Sequence, residues 1–364
     1  MSEPTSQTAT LRYDNEEDIV PGQNQIIDLS HTFGQNECQE SEGKAEDHLR
    51  ELYKNCTKNP GHPQFIRIKE LKMEHLPEAH RNSDLFALIK AVADLTVRIS
   101  VDMVSPNRPK YWPNTTVHYP FYGQGGTTKR RTGTGEIHVW MYDEGCGYNC
   151  TGQRYNPVTG GSFDVNYTTC PCETCQHSDT PSSVWWMVHI HTAAHVVYDE
   201  IEASYTSCRF FFDDEDRGGE KFIIDKVSVF KVHFERDRCV LKFVTCDERL
   251  GERLYQIAGE KTVLETKVYK KYKTVSSDKL TFIVSHPHGC SKQVSVGKWV
   301  KHYVQKMNEY DREIDLTKFS YTTCTCPGSS GASIYCVGLA TTHVHNGGME
   351  NGLNYSSVDL FHRV

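Results

Sequence analysis

Two short segments and one cysteine cluster carry residue types that do chemistry. His191-Thr192-Ala193-Ala194-His195-Val196-Val197 closes an apolar stretch, and Pro327-Gly328-Ser329-Ser330-Gly331-Ala332 is a tight Gly-rich turn ahead of another. A serine hydroxyl is a weak nucleophile at its own pKa and needs a base in contact, while the oxyanion it generates needs fixed N–H donors. Gly328, two residues before Ser330, lets the backbone turn so that the N–H groups of Gly328 and Ser330 can point at one oxygen. Gly331 leaves room for a substrate backbone. His189 and His191 alternate with Ile190 and face one side of their strand, and both read as structural. The cluster comprises Cys146-Gly147-Tyr148-Asn149-Cys150 and Cys170-Pro171-Cys172-Glu173-Thr174-Cys175, with His177 just beyond. Two short-spaced pairs of soft ligands suit a tetrahedral structural zinc. Cys146, Cys150, Cys172 and Cys175 are the first-choice set, and Cys170 or His177 the substitutes. Free surface thiols or a disulfide pair are the competing readings.

The elements that must position these groups are mostly strands. LTVRISV (95–101), EIHVWMY (136–142), SVWWMVHIHT (183–192), SCRFFF (207–212), DKVSVFKVHF (225–234), RCVLKFV (238–244), LTFIVS (280–285), VSVGKWV (294–300) and ASIYCVGL (332–339) are β-branched or aromatic and bounded by Gly, Pro, Asp or Asn. Many short strands without alternating helices imply an all-β sandwich or barrel. Before them, residues 1 to about 43 read as a mobile tail, 44–56 as a short helix, and Ser83–Asp94 as a strong amphipathic helix with Ser83 as its cap. After residue 100 a helical pattern is weak except over Asp247–Ile257.

Composition bounds the function. The chain has 364 residues, an apolar fraction of 37% and a net charge of −7. Counted with Gly in place of Tyr, the apolar share rises to about 39%, below the roughly 45–50% of packed domains, so part of the chain is expected to be unpacked. No basic surface argues for nucleic acid, and no apolar run of membrane-spanning length is present. The polar, acidic N-terminus has no signal-like apolar region, so the expected location is cytoplasmic or nuclear, with the 14 Cys reduced or metal-bound. Sequons at Asn55, Asn114, Asn149, Asn166 and Asn354 oppose this only weakly.

The T-A-A-H and G-S-S-G segments resemble the His and Ser motifs of the chymotrypsin-fold (trypsin-like) serine peptidases. In that family an Asp at the start of an apolar strand lies between them, and Asp237-Arg238-Cys239-Val240-Leu241-Lys242 matches it. The resemblance implies two antiparallel β-barrels, a His195–Asp237–Ser330 triad, an oxyanion hole from Gly328 and Ser330, and a protein or peptide substrate. It also places Thr132-Gly133-Thr134-Gly135-Glu136-Ile137 as the strand before the His hairpin and Ser285-His286-Pro287-His288-Gly289 as a second-barrel loop. It covers roughly 90–360. The implied division is an extension over 1–82 and a peptidase domain over 83–364. Its first barrel spans about 95–247 with a Cys-rich insertion at 143–180, and its second about 262–364.

Ser329, Ala332 and Cys324 depart from the trypsin pattern. Cys324 stands where enzymes that cut after Lys or Arg carry Asp, so a basic preference is not expected, and no zymogen-activation motif is visible. His345-Asn346-Gly347-Gly348 is similar to the H-x-G-G segment of glutamyl endopeptidases, where the His helps bind an acidic side chain, with His343 a competing candidate. No cofactor is expected for catalysis. Pro171-Cys172-Glu173-Thr174-Cys175 matches half of a zinc deaminase signature but lacks the upstream H-x-E. An α/β-hydrolase would need its His after the acid and the Ser, and this order is reversed. The rival reading is a peptidase-like scaffold that binds without cutting.

Overall fold

A computed structural model describes residues 34–41, 46–113, 115–154, 169–215, 222–274, 279–309, 312–340 and 343–362. Most of the expected tail and residues 155–168 of the Cys-rich insertion lie outside them. Each of the nine apolar stretches overlaps a strand, and the strands form two nine-stranded antiparallel sheets. The all-β, two-sheet architecture therefore stands as expected.

The first sheet runs Ser228–His233, Arg238–Thr245, Val184–Thr192, Arg130–Asp143, Thr96–Val101, Thr206–Phe210 and Phe222–Ile224, with Gln39–Ser41 and Cys146–Asn149 also paired to Arg130–Asp143. Its inward residues, among them Val97, Ile99, Ile137, Val188, Ile190 and Leu241, form one apolar core. The second runs Gln35–Asn36, His345–Gly348, Asn354–Ser356, Arg312–Tyr321, Gln293–Glu309, Leu280–Ser285 and Ile334–Cys336. Asp359–His362 joins it at Arg312–Tyr321, and Phe65–Arg67 at Gln293–Glu309. The Arg312–Tyr321 strand escapes the sequence pattern for a physical reason. Asp315, Thr317, Lys318, Phe319, Ser320 and Tyr321 are all buried, so polar side chains occupy both faces and no two-residue alternation survives.

Three helices of nine or more residues occur among the described residues. Glu46–Lys54 fits the expected short helix, and Ser83–Asp94 the expected amphipathic one, although its cap is Asn82, whose side chain accepts from the Leu85 N–H. The third is longer than its weak periodicity suggested. Asp247 caps a 25-residue helix, Glu248–Tyr272, that continues well past Ile257. At 1.5 Å per residue it spans about 38 Å. Leu250, Leu254 and Ala258 enter the first core, and Val268 and Tyr272 pack with Leu85, Leu88 and Phe282 in the second, so the helix is a strut across both sheets. Gly251 allows the close approach, because a Cβ there would overlap the Trp186 ring.

Halfway along the strut, buried Lys261 Nζ lies 2.8 Å from Glu136 of the first sheet and 2.9 Å from Glu265. The Tyr335 hydroxyl, from the second sheet, donates to Glu136 at 2.7 Å. Burial opposes both charges, but each holds the other ionised, so the Glu136 pKa is lowered and that of Lys261 raised. Breaking a buried pair strands one charge. Lys261→Ala is expected to cost about 3–5 kcal/mol in chemical denaturation at neutral pH. The lowered Glu136 pKa contributes stability above the unfolded carboxyl pKa and loses it on acidification; the raised Lys261 pKa contributes below the unfolded amine pKa and loses it in strong alkali. The wild-type advantage over Lys261→Ala should therefore be widest near neutrality, and a difference flat with pH would contradict this account.

Candidate active site

His195 follows the Val184–Thr192 strand in a turn closed by the Val196 N–H to the Ala193 carbonyl at 3.1 Å. A buried ionic cluster holds this turn. Arg108 donates to the His195 carbonyl at 3.0 Å and Arg131 to the Val196 carbonyl at 2.9 Å, while both guanidiniums bind buried Glu202. Asp237 occupies a left-handed position, φ 52°, just before the Arg238–Thr245 strand. Cys239 pairs opposite Thr192, and this register brings Asp237 beside His195. Asp237 Oδ1 accepts the His195 backbone N–H at 2.9 Å and Oδ2 lies 2.6 Å from His195 Nδ1. The ring is thus fixed in orientation, with Nε2 turned away from Asp237.

Ser330 comes from the other sheet. Its turn needs glycine at two points: Gly328 has φ +98° and Gly331 φ +87°, and a Cβ on Gly328 would come 2.5 Å from the His286 carbonyl oxygen. The turn is docked on the first sheet by the Thr134 N–H to the Ser330 carbonyl and the Thr134 hydroxyl to the Gly328 carbonyl, both 2.8 Å. From the 285–289 loop, the His286 N–H reaches Thr134 Oγ1 at 3.0 Å and the His288 N–H the Pro327 carbonyl at 2.5 Å. His195 Nε2 then lies 2.8 Å from Ser330 Oγ. Burial disfavours a charged imidazole here, but the Asp237 carboxylate outweighs it and the His195 pKa is raised.

A peptide carbonyl already stands before this serine. The Gly328 and Ser330 N–H groups donate to the Glu37 carbonyl oxygen at 2.6 and 3.4 Å. The Glu37 carboxylate enters a buried pocket, where Oε2 lies 2.8 Å from His345 Nε2 and Oε1 meets Lys58 Nζ. Lys58 also binds Thr325 Oγ1 at 3.2 Å and Asn354 Oδ1 at 2.7 Å. The Tyr321 hydroxyl, 2.6 Å from His345 Nδ1 and donating to the Tyr355 carbonyl at 3.0 Å, holds the ring with Nε2 toward the carboxylate. Burial opposes the Glu37 charge, but His345 and Lys58 overcome it and lower its pKa to about 2. Burial also lowers the His345 pKa. The His345 imidazole and the Lys58 ammonium thus form an anion pocket.

Of the residues singled out in the sequence, His195, Asp237, Ser330, Gly328 and His345 converge here. His343 does not; its Nε2 is 3.0 Å from both the hydroxyl and the carbonyl oxygens of Thr317. Cys324 lies nearby with its thiol toward Gln64, and the Glu37 carboxylate meets His345 and Lys58. Lys58 and Tyr321 were not legible as site residues, for neither sits in a motif.

The cysteines assemble differently from the expected set. Cys170, Cys172, Cys175 and Cys246 place their sulfurs within 4.8 Å of one another. Cys246 lies 3.7 Å from Cys172 and 3.6 Å from Cys175, near the edge of about 3.8 Å of a tetrahedron with 2.3 Å metal–sulfur bonds. Cys146 and Cys150 are not part of it: Arg154 donates to Cys146 at 2.7 Å, and Cys150 lies 3.4 Å from Thr262 Oγ1. The cause is strand pairing. Thr245 stands opposite Trp186, so Cys246 arrives beside the 170–175 turn, which no local spacing could reveal. Four thiols in this arrangement could hold a soft metal ion. A second group, Cys56, His62, His288 and Cys326, also comes within 4.8 Å.

No family model and no curated protein matches the chain. Among solved structures it is similar to the Rv3671c protease from M. tuberculosis in its active form, at 9% identity and a TM-score of 0.34, over 74% of this chain and 78% of that one. It is similar to Deg5 at 10% identity and 0.35, over 78% and 90%. For the HtrA-type protease AlgW with a decapeptide the values are 12% and 0.34, over 76% of this chain and 64% of that one. These likenesses are low.

Proposed function

We propose that the protein is a serine endopeptidase that cuts peptide bonds after an acidic residue. The observation that carries this reading is the Glu37 carbonyl on the Gly328 and Ser330 N–H groups, in front of a serine bonded to His195. In the proposed reaction His195 Nε2 takes the Ser330 proton as Oγ attacks the carbonyl carbon. Asp237 holds the ring and supports the imidazolium, and the two N–H groups bind the developing oxyanion. His195 returns the proton to the leaving amine, and water hydrolyses the acyl-enzyme. The His345–Lys58 pocket supports the acidic preference. The four-cysteine group supports a structural zinc on Cys170, Cys172, Cys175 and Cys246 that staples the Cys-rich insertion to the first sheet and takes no part in bond cleavage.

A fluorophosphonate probe is expected to label the wild type and not Ser330→Ala, and His195→Ala should lower kcat by about four orders of magnitude or more. Glu peptides should be cut faster than Gln peptides. His345→Ala and Lys58→Met should each shrink that preference about 10- to 100-fold, as loss of a charge-assisted hydrogen bond does. Equal cleavage of Glu and Gln peptides removes the acidic preference, and a folded chain that is never labelled returns the binding-scaffold reading. For the zinc, Cys246→Ser should lose about one metal per chain by elemental analysis and melt earlier; unchanged metal content overturns that site.

A further inference from the structure

The residues that fill the cleft belong to the chain itself. Gln35–Asn36 pairs antiparallel with Gly347 and Gly348 at the edge of the second sheet, and Gln39–Ser41 pairs antiparallel with Arg130–Thr132 of the first. The segment between them crosses from one sheet to the other over Ser330. The Glu37 N–H is 3.0 Å from Ser330 Oγ and 3.3 Å from the Asn346 carbonyl. Its own carbonyl is in the oxyanion position and its side chain in the anion pocket. The Cys38 side chain interacts with His195. The fit is close: a Cβ on Gly347 would overlap the Gln35 carbonyl oxygen. Backbone pairing on both sides of one carbonyl, with a matched side-chain pocket, is how a peptidase holds a substrate.

We propose that the protein cleaves its own chain between Glu37 and Cys38, with residues 34–41 as an intramolecular substrate. This rests on the serine endopeptidase reading and names its first substrate. Ser330 Oγ forms an ester with the Glu37 carbonyl carbon as the bond to the Cys38 nitrogen breaks, and His195 passes the serine proton to that nitrogen. Water, deprotonated by His195, then attacks the ester; Ser330 recovers its proton, leaving a Glu37 carboxylate and a free Cys38 amine. Departure of the part ending at Glu37 uncovers the pocket and the oxyanion donors for other peptides, while Gln39–Ser41 remains paired with the first sheet.

Terminal sequencing and intact mass of the full-length wild type should show a new chain beginning at Cys38, whereas Ser330→Ala stays whole. Glu37→Lys, repelled by Lys58, should stay whole yet react with the fluorophosphonate, since its cleft is vacated. A wild type intact at Glu37–Cys38 alongside a labelled Glu37→Lys overturns self-cleavage and leaves the peptidase reading standing. A folded Glu37→Lys that is unlabelled, with an intact wild type, takes both down. Ser330→Ala chain cut at this bond by added wild type as fast as the wild type cuts itself overturns the intramolecular route.

A separate observation carries a second site. Cys56 and Cys326 sulfurs lie 3.6 Å apart, His62 and His288 each bring a ring nitrogen to within 4.8 Å of them, and the buried Nε2 of each ring has no hydrogen-bond partner. The rings stand nearly perpendicular, at 87°. His288 Nδ1 is bonded to Gln39 Oε1 at 2.7 Å, and Asn59 donates to both sulfurs, at 3.4 Å to Cys56 and 3.1 Å to Cys326, the outer-shell pattern of a metal centre. We infer that Cys56, His62, His288 and Cys326 form a two-sulfur, two-nitrogen zinc site. It ties the 56–62 segment, including Lys58, to the serine turn. Elemental analysis should find one zinc fewer per chain in His62→Ala/His288→Ala than in wild type. The cobalt-substituted wild type should show tetrahedral visible bands that weaken in this double variant and persist in Cys246→Ser. Equal zinc and unchanged bands in the folded double variant overturn the site.

Discussion

The 2.8 Å contact between His195 and Ser330 joins groups from two sheets that share no strand ladder among the described residues. A hydrogen bond weakens steeply with a few tenths of an ångström, so the sheets must dock to that tolerance. Apolar burial alone is non-directional and cannot set such a distance. The polar contacts at the seam do so: Thr134 binds both the Gly328 and Ser330 carbonyls, and Arg98 binds the Gly289 carbonyl at 2.9 Å. Glu202 with Arg108 and Arg131 fixes the other partner, the His195 turn, from behind.

Longer elements keep the seam from sliding. The Glu248–Tyr272 helix packs on both cores and anchors the Glu136–Lys261–Tyr335 cluster between them. The 34–41 segment laces the same seam from the front by pairing with each sheet. The two devices differ in permanence. The helix is buried along its inner stripe, whereas the segment is held across a bond that the proposed chemistry would cut.

The anion pocket shows how charge is handled in such a place. A buried carboxylate is tolerable only when paired and hydrogen-bonded. Glu37 finds an ammonium on one oxygen and an imidazole N–H on the other. The imidazole is held by Tyr321 and the ammonium by Thr325 and Asn354. The pocket draws on four parts of the chain: Lys58 just after the Glu46–Lys54 helix, Tyr321 at the end of the Arg312–Tyr321 strand, Thr325 ahead of the serine turn, and His345 and Asn354 of the 345–354 hairpin.

What the sequence determined by itself was local. Alternation of β-branched residues marked nine strands, and the T-A-A-H, D-x-x-V-L and G-S-S-G segments carried the residues that meet at the site, because each motif encodes its own turn and register. The His345 loop was visible on the same grounds. Tertiary structure alone decided the rest. Lys58, Tyr321 and Cys246 join their sites through strand pairing and sheet docking over long separations, and no periodicity near them records the destination. Cys146 and Cys150 had ligand spacing and were placed elsewhere by the same pairing. Glu37, within a stretch that read as tail, acquires its meaning only from the cleft that receives it. Composition reports how readily a segment buries itself; it does not report which preformed groove can bury it.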